Sequence, residues 1–557
     1  MVSSAWPYIN YVPHLGTIVC VLSADVVARY LRLRGHDVVF VSGSDEHGTP
    51  IEVEAVRRGI PPKELTDRNH EIVVDLFKRW GFSFDCYIRT EHPTHVKFIQ
   101  DFYMKLYENG YIFTREEELP YCSKCQRFLP DRFVEGVCPY CGYEGARGDQ
   151  CEKCGRLLEP VDLVDARCAI CGSTPEIRRT KHWFFDLSKF TDEIRDYIAS
   201  NERFSEAVRR FSLNMLEEGL KPRSITRDNK WGIPAPFPGA EGKTIYCWFE
   251  AVLGYVSATI EYFRRRGRED AWRDFWFNKD SRTLYFIGKD NIPFHTILLP
   301  ALLLGTREGY NLPWNVISNE FLLHEGKKYS KSRRIGIWID EALELFPADY
   351  WRYVITSIRP ERHDVSFTWR LFIEKVNSDL NDTLGNFIHR TLTFLHKFFG
   401  GAVPEPGEFD EVDGGVLSLI EETLRSVAED IEAFRLQDAL RGVIELSREG
   451  NRYLNEREPW KLVKVDRVKA ATTLYVASQL VKALATLMEP FLPHTAERLW
   501  SMLNLPGSVH ECRWEDAAEP LPPGHRVKTP TPLFSKVPED EEELRRALEK
   551  LRAGSSS

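Results

Sequence analysis

SSAWPYINYVPHLGT, residues 3 to 17, is the stretch whose reading decides the fold. Ser3 to Asn10 predict a short buried strand. Pro13 ends it, His14 and Gly16 follow, and from Thr17 to Arg34 the apolar residues Ile18, Val21, Leu22, Val26 and Val27 recur on a helical period. Strand, tight turn and helix leave the first N–H groups of the helix unpaired at the positive end of its dipole, where a phosphate is favoured. His14 can donate to the same phosphate, and Gly16 lets a nucleotide approach the backbone. Four residues of the form P-H-x-G are a weak match alone, and a plain turn with a packed His14 reads more readily from them.

A second run changes that balance. Lys327 to Arg334 read KKYSKSRR, with five cations interleaved with serines, which suits a mobile loop closing over a polyanion. Alone it is also a solvated surface loop or a localisation-like basic run. As a pair, P-H-L-G-T and K-Y-S-K-S resemble the two signature sequences of class I aminoacyl-tRNA synthetases, which bracket a nucleotide site.

At 557 residues the chain is too long for one core, and three or four domains are expected. No apolar run approaches the span of a membrane helix, and the N-terminus has neither a basic segment nor a cleavage site, so a soluble cytoplasmic protein is expected. A net charge of -9 argues against indiscriminate nucleic-acid binding but leaves room for a local basic track. Of 12 cysteines, eight fall in four Cys-x-x-Cys pairs and Cys20, Cys86, Cys247 and Cys512 stand alone, a metal pattern in a reducing compartment.

From Ser3 to about Arg115 strands and helices alternate. Asp37 to Ser42 (DVVFVS) predict a buried parallel strand that ends in GSDEHGTP. Ligands of open parallel sheets sit beyond the carboxyl ends of strands, so Asp45, Glu46 and His47 are placed for substrate contacts. The alternative reading is that these polar residues only cap the next helix, Pro50 to Arg58. Helices follow over Pro61 to Trp80 and Thr94 to Asn109.

Between Leu119 and Thr180 lie Cys122/Cys125, Cys138/Cys141, Cys151/Cys154 and Cys168/Cys171. Eight thiolates at this spacing make two zinc sites, structural in kind because sulfur fills every position. A redox module and a zinc-ribbon nucleic-acid reader are the competing readings. Spacing alone does not fix the pairing. The inner pairs are close enough for one compact site, leaving the outer pairs for the second.

After RDNKWGIP (227 to 234), residues 244 to 262 predict a strand running into a helix. Residues 283 to 304 repeat the format: a strand to Ile287, a polar turn Gly288 to Asn291, then an apolar helix. Asp290 lies where an aspartate can accept from ribose hydroxyls. A strand at Asn315 to Ser318 leads to the KYSKS run, so the expected sheet is split, with the cysteine module between its halves. Asp340 to Ile358 predict one helix, and Phe372 to Leu503 a helix bundle that includes Val416 to Phe434 and Ala470 to Met488. Asn386 and Arg390 share one helical face. Trp460 follows a proline; a bundle tryptophan is more often core, but an exposed one can stack an RNA base. After Val509 come a Pro-rich tail, a strand candidate at Thr531 to Val537, an acidic helix over Asp540 to Leu551 and a disordered Gly-Ser end.

FLPDRFVEGVCPYCGYEGARGDQCEKCG, GLKPRSITRD and GKDNIPFHT, with the double knuckles, are similar to the methionyl branch of the class I synthetases in its archaeal and eukaryotic-cytosolic form. The resemblance runs from residue 3 to about 505. It implies an α/β protein: a split Rossmann-like parallel-sheet catalytic domain (1–115 and 236–335, the second half carrying the KYSKS loop) and a connective insertion with zinc knuckles (116–235). A stem-contact segment (336–375), an α-helical anticodon-binding domain (376–505) and a C-terminal tail (506–557) complete it. The implied reaction activates L-methionine with Mg²⁺-ATP and passes methionyl to tRNA(Met). No enzyme-bound covalent intermediate is needed, so positioning and charge stabilisation are the protein's task.

The resemblance implies His14, Lys328 and Lys331 as catalytic, and Gly16, Thr17, Gly288, Asp290, Ser330 and Lys331 around ATP. Pro7, Tyr8, Asp45, Trp248, Ala251, Tyr255, Asn291 and His295 would surround methionine, Asp45 holding its ammonium. Asn386, Arg390 and Trp460 would read the anticodon. The family's pattern is broken at Thr17 (usually histidine), Tyr329 (methionine), Trp6 (leucine), Val252 (proline) and Glu250 (aspartate). No appended tRNA-binding or dimerisation domain is visible after the bundle, so a monomer is expected, with a separate tRNA-binding partner as a source of extra RNA affinity. The rivals are a leucine, isoleucine, valine or cysteine synthetase, and a zinc-dependent RNA-binding protein without catalysis. The insertion has no room for an editing domain, and every cysteine pair lies outside the nucleotide site.

Overall fold

The computed structural model describes residues 1–554 apart from 130–132, 149, 150, 152, 155–157, 159 and 331–333. Its N-terminal half is built on five parallel strands that the chain reaches in two visits. The first supplies β1 (Val2–Ser4), α1 (Leu15–Leu33), β2 (Phe40–Ser44), α2 (Thr49–Arg58), α3 (Pro62–Arg79) and β3 (Cys86–Arg89). The second adds Leu284–Gly288 and Asn315–Asn319, giving the spatial order Asn315–Asn319, Leu284–Gly288, β1, β2, β3. Val2 is in register with Leu284 on one side and Phe40 on the other, so the shortest strand lies between the two visits.

The α1 helix is apolar on more than one face because more than one face is covered. Ile18, Val21, Val26 and Val27 belong to one core that runs from Val2 and Phe286 of the sheet to Val443 and Leu480 of the helical half. The opposite sheet face, with Val41, Ile88 and Ile287, packs on Phe102, Tyr103, Leu253 and Val256.

Between the visits, α4 (Pro93–Glu108) leads into β4 (Ile112–Cys122), which pairs antiparallel with Glu176–Phe185 from Ile112↔Phe185 to Tyr121↔Glu176. The cysteine module hangs at the end of this ribbon, around its own small core of Leu129, Phe133, Val134, Leu158 and Leu163. The sequence reading did not anticipate the ribbon, and its exposure explains why. Residues from Phe113 to Glu116 are all exposed, so no alternation of apolar and polar residues marks that stretch as a strand.

Other expectations need correction. The strand expected over Ser3–Asn10 ends at Ser4; Pro7 has no N–H to donate, and only Tyr8 rejoins, by a bridge to Asp45. The strand expected over Asp37–Ser42 starts later, at Phe40. Thr244–Ile245 pairs with Thr226–Arg227 outside the main sheet. The helix expected over Asp340–Ile358 is two, Ile339–Leu345 and Ala348–Ser357, separated at Pro347.

The helical half contains Asn386–Phe399, Glu411–Glu432, Leu436–Arg457, Pro459–Val465 and Arg467–Met488, the last buried along almost its whole length. Thr531–Val537 forms no strand. It is an extended strap with Leu533, Phe534 and Val537 buried, and Val537 exchanges hydrogen bonds of 2.8 and 3.0 Å with the Asn377 amide. The terminal helix, Glu541–Gly554, docks back on residues 325–341: Arg552 bonds Glu341 and the Gly336 carbonyl, each at 2.6 Å, and Arg545 pairs with Glu325. Ser555 to Ser557, the expected disordered end, lie outside the described residues. Among the described residues no helix is long and apolar enough to cross a membrane.

Candidate active site

The turn after β1 carries the first group of predicted residues. His14 is the N-cap of α1, and its Nδ1 accepts from the Thr17 N–H at 3.3 Å. An acceptor Nδ1 places the ring proton of neutral imidazole on Nε2. The Thr17 hydroxyl lies 3.5 Å from the same nitrogen, so Thr17 steadies the cap. A Cβ on Gly16 would come within 3.1 Å of the His14 ring, so glycine there keeps the turn tight. Gly288 closes its strand beside Asp290, whose side chain a Cβ on Gly288 would strike at 2.6 Å. Asp290 itself is exposed, on a single 3₁₀ turn Lys289–Asn291. Lys328 is exposed with its ammonium 5.3 Å from the Phe321 ring centre, and Ser330 bridges backbone to backbone with Ile335. Lys331 lies outside the described residues.

A pocket beside this turn is lined by Ala5, Trp6, Asp45, Trp248, Ala251, Val252, Tyr255, Asn291 and His295. Six of the eight residues expected around methionine are therefore brought together. Pro7 and Tyr8 are not among the lining residues and act one step back: the Pro7 carbonyl accepts from the Asp45 N–H at 2.9 Å, and Tyr8 stands edge-on to Trp248 with its hydroxyl 3.3 Å from Cys247 Sγ. Phe294, which sequence reasoning missed, stacks on Trp248 with centroids 4.1 Å apart and planes at 9°. Its signal was its place inside GKDNIPFHT. Trp6 fills much of the space, lying where a Cβ on Gly43 or Gly254 would fall within 2.6 Å of its ring. The void left is ≈ 20 Å³, room for one water and too small for a thioether side chain, so a ligand enters only by displacing a wall.

The polar atoms of the pocket are fixed. His295 donates from Nδ1 to the Asn291 carbonyl at 2.9 Å and accepts at Nε2 from the Tyr255 hydroxyl at 2.8 Å. Burial pushes its pKa down to about 4, so the ring is neutral at pH 7. Behind the pocket, buried His47 bridges Glu250 at 2.8 Å and Glu91 at 2.6 Å. Burial acts to lower its pKa, but the two carboxylates win and lift it to about 10, so this ring is a cation. Asp45 is 2% exposed, and burial, reinforced by Glu250, raises its pKa well above the carboxylate range. It is a buried acid without a full counter-charge, which an arriving ammonium would supply. The helix-cap reading of this stretch does not hold: α2 starts at Thr49, its N-cap is Gly48 and no side chain caps it, while Glu46 turns inward to Arg89 at 2.6 Å.

In the insertion, Cys122, Cys125, Cys168 and Cys171 form one group and Cys138, Cys141, Cys151 and Cys154 another, with all sulfurs of a group within 4.8 Å of one another. Zn–S bonds of about 2.3 Å set tetrahedral sulfurs about 3.8 Å apart. The observed 3.4 and 3.9 Å in the outer group, and 3.9 and 3.6 Å in the inner, suit that geometry.

In the helical half Asn386, Arg390 and Trp460 share one surface. Arg390 donates to Asn455 at 2.9 Å and sits 5.3 Å from the Trp460 ring centre, while Asn386 donates to Asn451 at 3.4 Å. Trp460 is half-buried, one side resting near Phe394 at 5.6 Å, so it is neither core nor a free flag. Asn451 and Asn455 had no sequence signal; they sit one helical turn apart on the facing helix.

The family described as "tRNA synthetases class I (M)" matches residues 1–392, and "Anticodon binding domain of methionyl tRNA ligase" matches 403–552. A methionine–tRNA ligase of Thermofilum pendens is 56% identical over 100% of this chain and 98% of its own length. One of Pyrobaculum calidifontis is 54% identical, again over 100% and 98%. A solved Mycobacterium tuberculosis methionyl-tRNA synthetase bound by methionyl-adenylate superposes with a TM-score of 0.79 at 26% identity, covering 96% of this chain and 99% of that one.

Proposed function

The chain belongs to the methionyl class I tRNA synthetases, and on that premise we propose how its residues divide the work. The enzyme activates L-methionine with ATP to methionyl-adenylate and pyrophosphate, then transfers methionyl to the 3′-terminal ribose of tRNA(Met). The observation that carries the assignment of residues is Asp45, a buried carboxyl facing a pocket that Trp6, Trp248, Tyr255 and His295 line together with small apolar residues and Asn291.

Asp45 holds the methionine ammonium, and the His47 cation behind it, locked between Glu250 and Glu91, keeps that carboxyl at a fixed depth. Trp248, Ala251, Tyr255 and Asn291 surround the thioether, with Pro7 and Tyr8 setting the register of Asp45. A neutral His295 with both nitrogens already bonded offers an edge without charge, which suits sulfur. Size and polarisability discriminate by only about 1–3 kcal/mol per methylene, so a tight aromatic wall is the available means.

The carboxylate of bound methionine attacks the α-phosphorus of ATP, and pyrophosphate leaves with its electron pair. His14 donates from Nε2, Gly16, Thr17 and the α1 amino end take phosphate, and Lys328, Ser330 and Lys331 close over the leaving group. Gly288 lets the nucleotide approach, Asp290 accepts from the ribose, and Mg²⁺ accompanies ATP to neutralise phosphate charge. The cysteine groups would hold two structural Zn²⁺, supplying the insertion with a fold its small core could not hold alone. Asn386, Arg390 and Trp460 read the anticodon. Thiolate knuckles need reducing surroundings, so we place the reaction in the cytoplasm, carried out by a monomer with extra tRNA affinity drawn from a partner protein.

ATP–pyrophosphate exchange measured with each of the twenty amino acids tests this division. Exchange with methionine that Asp45→Asn abolishes is expected; exchange that survives Asp45→Asn at the wild-type methionine KM would refute the pocket assignment.

A further inference from the structure

Lys289 stands between Gly288 and Asp290, and its side chain is engaged by two acids from elsewhere in the chain. Its ammonium donates to Glu320 at 2.6 Å and to Asp364 at 2.8 Å, and it lies 4.5 Å from the centre of the Phe321 ring. Asp364 also accepts from the Phe321 N–H at 2.9 Å, and the Glu320 N–H donates to the Pro360 carbonyl at 2.8 Å. Glu320 follows directly on the strand Asn315–Asn319, whose last residue is in register with Gly288. One cation therefore gathers the ends of two neighbouring strands and the loop that precedes Val365–Phe367. The side chains of Lys289, Glu320 and Asp364 are 32%, 28% and 36% exposed, so these pairs contribute little to stability. What a cation held by two carboxylates and a ring can fix is a direction.

The turn beside it needs such an anchor. Lys289–Asn291 is a single 3₁₀ turn, too short for its own hydrogen bonds to hold an orientation. Its far end is fixed from the methionine side, where the Asn291 carbonyl accepts from His295 Nδ1 at 2.9 Å. Between the two ends the Asp290 carboxylate folds back over Gly288, where a Cβ would meet it at 2.6 Å. We propose that Lys289 is a positioning residue for the activation step: held by Glu320 and Asp364, it sets the direction in which Asp290 meets the ribose of ATP. This rests on the reading that Asp290 accepts from a ribose hydroxyl. Removing the Lys289 ammonium frees the near end of the turn while His295 still holds the far end, so the ribose contact degrades and the methionine pocket does not.

The test is methionine-dependent pyrophosphate exchange by the full chain with ATP, 2′-deoxy-ATP and 3′-deoxy-ATP, for wild type, Lys289→Met, Glu320→Gln, Asp364→Asn and Asp290→Asn. Wild type should lose about tenfold or more in kcat/KM on the analogue lacking the hydroxyl that Asp290 accepts, as expected of a hydrogen bond to a charged group. Lys289→Met should lose about threefold to tenfold on ATP but at most about twofold on that analogue, with the methionine KM unchanged, because the contact it supports is already gone there. Glu320→Gln and Asp364→Asn leave Lys289 in place and guard against a folding defect; each should lower the discrimination by about twofold to threefold. Equal losses on all three nucleotides, a rise in the methionine KM as large as that for ATP, or wild-type discrimination in both Glu320→Gln and Asp364→Asn would each overturn the positioning role. A wild type that uses both deoxynucleotides as well as ATP, or an Asp290→Asn that discriminates as wild type does, would instead sink the ribose reading beneath it.

Discussion

Arg352 ties α1 to the chain at Pro490 and Phe491 through one buried guanidinium. Its side chain is 0% exposed, as is that of its partner Asp25 on α1, 2.7 Å away. The guanidinium also donates to the Phe491 carbonyl at 2.8 Å and the Pro490 carbonyl at 3.1 Å. Asp25 in turn holds Arg29 at 2.9 Å and accepts from the Ser83 N–H and hydroxyl, both at 2.7 Å, while Arg29 reaches Glu489 at 2.5 Å. Burial lowers the Arg352 pKa in spite of Asp25, the sign expected of an ion whose desolvation outweighs its attraction. The pair is thus a poor net source of stability, yet costly to half-remove. Arg352→Met strands Asp25 in the core, a loss of about 3–5 kcal/mol for a broken buried pair. Because Arg29 and Ser83 still serve Asp25, the lower end, about 3 kcal/mol, is expected.

Urea unfolding followed by tryptophan fluorescence measures it, and the double variant Asp25→Leu/Arg352→Met should lose less than the two singles together, by about 1–3 kcal/mol of coupling. The pH dependence adds a check on sign. Burial acts to raise the Asp25 pKa, but Arg29 and Arg352 hold it well below the carboxylate range. Its contribution is therefore present above the ordinary carboxylate pKa and lost as pH falls through the depressed value. In Arg352→Met that loss should begin at higher pH. A destabilisation under about 1 kcal/mol, or full additivity in the double variant, would refute this account of the network.

Three further outcomes follow from the site. Because burial and Glu250 raise the Asp45 pKa, the carboxylate that an ammonium requires forms only as pH rises through that raised range, so the methionine KM should fall with rising pH; a methionine KM independent of pH would refute this. Trp460→Ala should slow aminoacylation by the equivalent of about 1–3 kcal/mol of lost base stacking and leave exchange without tRNA untouched; equal loss in both assays would return Trp460 to a packing role. Cys168→Ser should remove one of two zinc ions per chain, read by metal analysis, and expose the ribbon end to protease while the rest of the molecule resists; retention of both ions would show that the sulfur groups are not the ligand sets.

Much of this molecule is written in short runs whose chemistry is local. P-H-L-G-T implies a turn and a helix amino end, because the His14 ring caps its own helix. Four Cys-x-x-Cys pairs announce candidate metal sites from spacing alone, and the structure gathers them into two four-sulfur groups. The apolar periods of residues 416–434 and 470–488 likewise predict helices that the structure contains, within a few residues of their ends.

What the tertiary structure decided are matters of which neighbour arrives. Which cysteine pairs meet depends on the ribbon of β4 and Glu176–Phe185, which carries the outer pairs to one place, and β4 is nearly silent in sequence because Phe113 to Glu116 are all exposed. Thr531–Val537 has the composition of a strand, but it pairs with no strand among the described residues and runs as a strap held by the Asn377 amide. Arg352 and Asp25, 327 positions apart, carry no mutual signal in the chain; burial made them partners. Tyr329 reads as a conservative packing change until His14 is found beneath its ring. Residue type and spacing set which chemistry was available, because capping, metal ligation and helical periodicity act over a few residues. Charge pairing, pocket volume and ring stacking act through space, and only the packed fold sets those distances.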